Sequence, residues 1–144
     1  MNMKDERQFV GYSKYRSRLV DGHVHTELCP HGSGDRTAMM IEKAIELRIE
    51  KVCLTEHAPL PTAFAAEYGG DKKAYDTASL KLNQVDAYLE LGRQLQRAYG
   101  THIDISLGFE VDYIPGFESD IQEFLDRYGP LTDDNILSVH FMEG

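Results

Sequence analysis

The chain has 144 residues, enough for one domain with a hydrophobic core, and its 42% apolar and 27% charged fractions are those of an ordinary globular protein. A formal charge of −9 speaks against sequence-independent nucleic-acid binding, which needs a basic face to displace counterions from phosphates. It also means that a phosphate-bearing ligand would need metal ions to reverse the local sign.

No run approaches the ~20 apolar residues of a membrane helix, so no membrane partner is expected. Met1 to Arg18 is polar and mixed in charge, unlike a secretory signal. Cys29 and Cys53 stand in different segments and imply no disulfide framework. A reducing, cytoplasmic setting is the expectation.

Residues 1–17 carry little periodicity and read as an irregular lead-in; a single domain is expected over 18–144. Arg18 to His25 reads as a short strand. From Asp35 to Arg48, apolar Met40, Ile41, Ala44, Ile45 and Leu47 recur at helical spacing, with Asp35 as the N-cap. Lys51 to His57 is a second strand. Pro59, Pro61 and Gly69-Gly70 then mark residues 58–78 as a long loop, placed to act as a lid. Ser79 to Tyr99 is the clearest helix, with a stripe of Leu80, Val85, Tyr88, Leu89 and Leu95 and with Gly100 at C′. A third strand follows over 103–112, a helix over 118–128 that stops at Gly129-Pro130, and a fourth strand over 136–141. Strands alternating with helices argue for parallel βαβ units, an α/β fold. A full (β/α) barrel needs roughly 250 residues, so these strands make about half of one.

Five of the six histidines fall at or just beyond predicted strand ends, where parallel α/β folds place their active sites. In His23-Val24-His25 the two-residue strand period points both rings to one face. Two nitrogens offered together suit zinc, manganese or iron, although such a pair by itself is more often two unrelated histidines near a loop. His31, in Cys29-Pro30-His31-Gly32, sits in a turn that can fold back over the strand end. In Thr55-Glu56-His57 the same period puts Glu56 and His57 on opposite faces. His57 is therefore taken as the site residue and Glu56 as a supporting partner or a structural carboxylate. Glu110 lies among apolar neighbours on the third strand, where an unpaired charge is costly and a cation would neutralise it. Asp112 points the same way but lies further out, where it reads as a loop residue. His140 ends the fourth strand. His102 is read as a surface histidine and Cys29 as packing.

Together, the segments Asp21-Gly-His-Val-His-Thr26, Cys29-Pro-His-Gly32, Thr55-Glu-His-Ala-Pro-Leu-Pro61, Gly108-Phe-Glu-Val-Asp-Tyr113 and Ile136-Leu-Ser-Val-His-Phe141 resemble the polymerase-and-histidinol-phosphatase (PHP) superfamily. The resemblance is to its histidinol-phosphate phosphatase branch and runs from about residue 20 onward. It implies the N-terminal portion of a distorted TIM-like barrel of parallel strands. It further implies up to three divalent metal ions at the C-terminal strand ends. His23, His25 and Glu110 would hold one ion, and His31 and His57 would belong to a second. Glu110 would bridge to a third, which His140 also binds.

The implied reaction is hydrolysis of L-histidinol phosphate, in histidine biosynthesis, by in-line attack of a metal-bridging hydroxide. Family members are longer and supply further ligands from later strands, including an Asp-x-His. Self-association, or a complementing C-terminal half, is therefore expected. The competing expectations are a metal-binding fragment that is inactive or complementation-dependent, and a PHP phosphoesterase acting on nucleotides.

Overall fold

The computed structural model describes residues 18–67 and 72–141. The lead-in over 1–17 and the Gly69-Gly70 pair lie outside the described residues. Four strands, β1 (Val20–Val24), β2 (Lys51–His57), β3 (Asp104–Asp112) and β4 (Ile136–Ser138), form one parallel sheet in the order β1-β2-β3-β4. That unbroken order is the winding of a (β/α) barrel rather than of a doubly wound sheet, whose strand order reverses at a switch point. Four strands curl into half of such a barrel. No helix among the described residues is long and apolar enough to cross a membrane.

Helix α1 (Thr37–Glu46) follows β1, α4 (Val85–Tyr99) precedes β3, and α5 (Glu118–Tyr128) precedes β4. Alternation along β2 and β3 sends Val52, Leu54, Ile105, Leu107 and Phe109 to the helical face, where they pack with Ile41, Ala44, Val85, Tyr88, Leu89 and Leu95 in one core cluster. The whole expected stripe of the 79–99 segment is buried. Gly92 lets α4 approach closely, since a Cβ there would overlap the side chain of Leu107. Tyr88 reaches through this core. Its hydroxyl donates toward the carbonyls of Leu54 and Gly108 and accepts the amide of Glu56.

Several boundaries differ from the sequence expectation. Asp35 does not cap α1; its carboxylate takes the Ser33 hydroxyl, and Arg36 stands at the N-cap without a side-chain bond. Glu27 does the capping from a distance, accepting the Thr37 amide while the Thr37 hydroxyl accepts the Glu27 amide. The 58–78 segment is not a plain loop but contains short helices α2 (Thr62–Glu67) and α3 (Lys72–Asp76). The 79–99 helix begins later, after a 3-10 turn over Leu82–Gln84, because Leu80 first donates its amide to the His57 carbonyl. Gly100 is the C-cap in a right-handed conformation (φ −62°), not a left-handed C′ residue.

The fourth strand stops at Ser138, which pairs with Asp112 at the end of β3 and accepts the Tyr113 amide. Both sheet edges are open among the described residues. Leu19 and Val20 beside β1 are 55% and 50% exposed, and Leu137 and Val139 at β4 are 71% and 53% exposed.

Candidate metal centre

The β1–β2 pairing brings the first two histidines to the site. Asp21 pairs with Val52 and Val24 with Leu54, so three residues of β1 advance against two of β2. Bulges of this kind commonly re-aim side chains beside functional sites. His23 and His25, on one face, then stand with their Nε2 atoms 3.2 Å apart. The turn after His25 is closed by Cys29 N to Thr26 O (3.0 Å) and Gly32 N to Cys29 O (3.1 Å). It returns His31 over the strand ends, its ring 5.0 Å from that of His57 and 6.1 Å from that of His25.

β3 supplies the centre of the arrangement. Glu110, paired with His57 across the sheet, is 5% exposed. Its Oε2 lies 3.4 Å from His23 Nε2, 3.4 Å from His25 Nε2 and 3.2 Å from His57 Nδ1. Its Oε1 lies 3.4 Å from His140 Nε2. Four imidazoles, two at the end of β1, one at the end of β2 and one just past β4, thus face one carboxylate. Asp112 is the buried last residue of β3 rather than a loop residue, and His140 lies past β4 rather than on it. The two meet at 2.7 Å through His140 Nδ1 and Asp112 Oδ1, which also accepts the Ser138 hydroxyl at 3.2 Å. His102 is exposed at the opposite end of the sheet, beside the Thr101 hydroxyl.

The outer nitrogens of three rings face oxygen acceptors. His25 Nδ1 faces Glu56 Oε1 at 3.1 Å, His31 Nδ1 faces the Thr77 carbonyl at 2.8 Å, and His140 Nδ1 faces Asp112. Carboxylates and carbonyls only accept, so a neutral ring that donates to them from Nδ1 keeps a lone pair on Nε2. That is the arrangement of metal-binding histidines, whose second nitrogen is bonded to an oxygen acceptor. His23 Nδ1 is held 2.7 Å from the Thr55 hydroxyl. His57 alone turns Nδ1 inward.

Electrostatics treat the two buried rings differently. Burial pushes the His57 pKa down, keeping the ring neutral, although the Glu110 charge opposes this. The hydrogen bond to Glu56 raises that of His25 despite burial. For Glu56, burial alone would raise the pKa, but bonds from His25 and Thr26 outweigh it and hold the carboxyl below its usual range.

His57 Nδ1 and Glu110 Oε2 are buried without a hydrogen-bond partner. Unpaired buried polar atoms are costly, and a cation would satisfy both. The residues therefore fit divalent metal. Donor atoms of His23, His25 and Glu110 lie within 4.8 Å of one another, as do those of His57, Asp112 and His140. A third such group, His25, Cys29 and Glu56, is of another kind. Glu56 already accepts several protein donors, and burial pushes the Cys29 thiol pKa up, which agrees with packing. Thr55, Thr26 and the Thr77 carbonyl were not singled out by sequence. Thr55 was open to inference, two residues before His57 and so on its face; a backbone carbonyl distant in sequence was not.

The PHP domain family matches residues 21–144. The chain belongs to this family. A Bacillus subtilis histidinol-phosphatase is 41% identical over 122 residues, covering 85% of this chain and 44% of that protein. A crystal structure from Listeria monocytogenes, described provisionally as a histidinol phosphatase, superposes with a TM-score of 0.85 at 44% identity, over 87% of this chain and 46% of that one. A Lactococcus lactis histidinol phosphate phosphatase, solved with zinc, L-histidinol and phosphate, gives a TM-score of 0.66 at 26% identity, over 87% of this PHP chain and 41% of its own. The chain thus spans less than half the length of these relatives.

Proposed function

We propose that this PHP domain, residues 18–144, contributes to metal-dependent hydrolysis of a phosphomonoester, L-histidinol phosphate, in the cytoplasm. The observation that carries the reading is the convergence of four imidazoles on Glu110, with His57 Nδ1 and Glu110 Oε2 buried and unbonded. His23, His25 and Glu110 would hold one divalent ion, zinc, manganese or iron; His31 and His57 would serve a second; Glu110 and His140 would serve a third. When bound, such ions would bind phosphate oxygens, acidify a water and offset charge on the leaving oxygen.

The chain's own part is to hold lone pairs aimed inward. Glu56, Asp112 and the Thr77 carbonyl keep the Nδ1 protons of His25, His140 and His31 outside the cluster. Glu110 supplies the negative charge that gathers cations on a site meant for an anionic substrate. The 58–78 segment bounds the same end of the sheet and contributes Thr77 to it, which supports a lid role.

The open β1 and β4 edges support a second part of the reading: further strands add there, from another copy of the chain or from a complementing C-terminal half. The deciding assay is phosphate release from L-histidinol phosphate by the purified chain with zinc, manganese or iron, beside His25→Ala. Turnover that disappears in the variant supports the proposal. Turnover that survives it would remove His25 from the site. Metal uptake without turnover would favour a metal-binding fragment that needs complementation.

A further inference from the structure

We propose that Glu56 is a positioning residue whose two carboxylate oxygens divide one task, Oε1 fixing His25 as the Nδ1–H tautomer and Oε2 seating the turn that delivers His31. The inference rests on the metal-centre reading and deepens it. Glu56 is fully buried, alternates with His57 along β2, and meets the cluster through the outer nitrogen of His25 rather than through Glu110. Its Oε1 is 3.1 Å from His25 Nδ1 and accepts the His57 amide, also at 3.1 Å. Its Oε2 accepts the Thr26 amide at 2.9 Å and the Thr26 hydroxyl at 2.7 Å.

The hydroxyl of Thr26 in turn accepts the Leu28 amide, and its carbonyl accepts the Cys29 amide. This closes the turn that leads through Gly32 N to Cys29 O and carries His31. A buried carboxylate with these bonds has one electrostatic consequence for its neighbour. As a pure acceptor it holds the proton on His25 Nδ1, so that Nε2, 3.2 Å from His23 Nε2 and 3.4 Å from Glu110 Oε2, presents a lone pair. With the opposite tautomer His25 would aim an N–H into the cluster and could not bind a cation.

Glu56→Gln separates this role from simple packing, because it keeps the shape and reverses the donor. Two donors from Thr26 meet Oε2 against the single His57 amide at Oε1, which places the glutamine oxygen at the Oε2 position and its NH2 toward His25, at the loss of the His57 amide's acceptor. The ring must then accept at Nδ1 and carry its proton on Nε2. The measurement is a long-range nitrogen–proton NMR correlation of the histidine rings in metal-free protein. It is recorded in alkaline buffer, well above the ordinary imidazole range.

The expected result is Nδ1–H for His25 in the parent and Nε2–H in Glu56→Gln, with zinc affinity lower by roughly 10- to 100-fold. In Glu56→Asp, which retains an acceptor, the parent tautomer returns. An Nε2–H tautomer in the parent overturns the inference without need of any variant, as does a folded Glu56→Gln whose His25 keeps Nδ1–H. A tautomer that switches in a protein that takes up no zinc supports the positioning role and strikes down the metal-centre reading instead. The two failures are therefore distinguishable.

Discussion

Glu110 concentrates the cost and the purpose of this site in one side chain. Its Oε2 is buried, unbonded and within 3.2–3.4 Å of three imidazole nitrogens. Without a cation such a charge destabilises the fold. Glu110→Gln should therefore lower zinc affinity more than roughly 100-fold, beyond the loss of an outer partner, while the metal-free variant melts at or above the parent temperature. Competition with a chromophoric chelator and a thermal scan check the two halves. Parent-like zinc affinity would sink the central role given to this carboxylate. At this scale His23, His25, His57, His140 and Glu110 stood out because each sits at or near the end of a predicted strand, where spacing and chemistry coincide. The partners of their outer nitrogens were not, with Glu56 only an open candidate. His31 leans on a main-chain carbonyl 46 positions away, and no side-chain pattern announces that.

Among the elements, β2 and α5 match the expected bounds, since apolar runs there are closed by Pro59 on one side and Gly129-Pro130 on the other. Where competing bonds decide, the sequence was silent. Glu27 displaced Asp35 as the cap of α1, and Leu80 was drawn away from α4 by the His57 carbonyl. The end of α1 shows another such choice. Arg48 adopts φ 59°, with its amide bonded to Ile45 O and the Ile49 amide bonded to Ala44 O, a Schellman closure normally given to glycine. Arg48→Gly removes the left-handed strain of a residue with a Cβ but also loosens the unfolded chain. The net expectation is a gain of about 0.5–1 kcal/mol, of the size of glycine's advantage in this conformation. Denaturant unfolding measures it, and a loss of stability would show that the arginine side chain supplies more than its backbone costs.

For the whole molecule, the alternation of strand and helix was enough to foresee a parallel α/β sheet, and the resemblance supplied the barrel. The closeness of packing was not foreseeable: Gly92 accepts Leu107 against it, and Gly108 leaves room for the carbonyl of Asp134, which a Cβ would overlap. Asp133 and Asn135 use that approach to occupy the β3 amides of Leu107 and Phe109 before β4 begins. Beyond them the outer edge of β4 is bare among the described residues. The purified chain should therefore associate with increasing concentration, as read by light scattering. A monodisperse monomer at high concentration would contradict the strand-addition reading of both edges.

The sequential strand order also sets a timetable for the centre. His23, His25, His31 and His57 all emerge before α4, but the carboxylate they face arrives only with β3, and His140 only after β4. A partly folded intermediate ending at β2 would own imidazoles without the charge that collects a cation around them. A cation held by all of these groups would require the completed sheet, and its binding would pull the folding equilibrium forward by mass action. With free metal at a hundredfold its dissociation constant, that pull amounts to about 2.7 kcal/mol. A centre built for chemistry would then double as the fastening of the strands that create it.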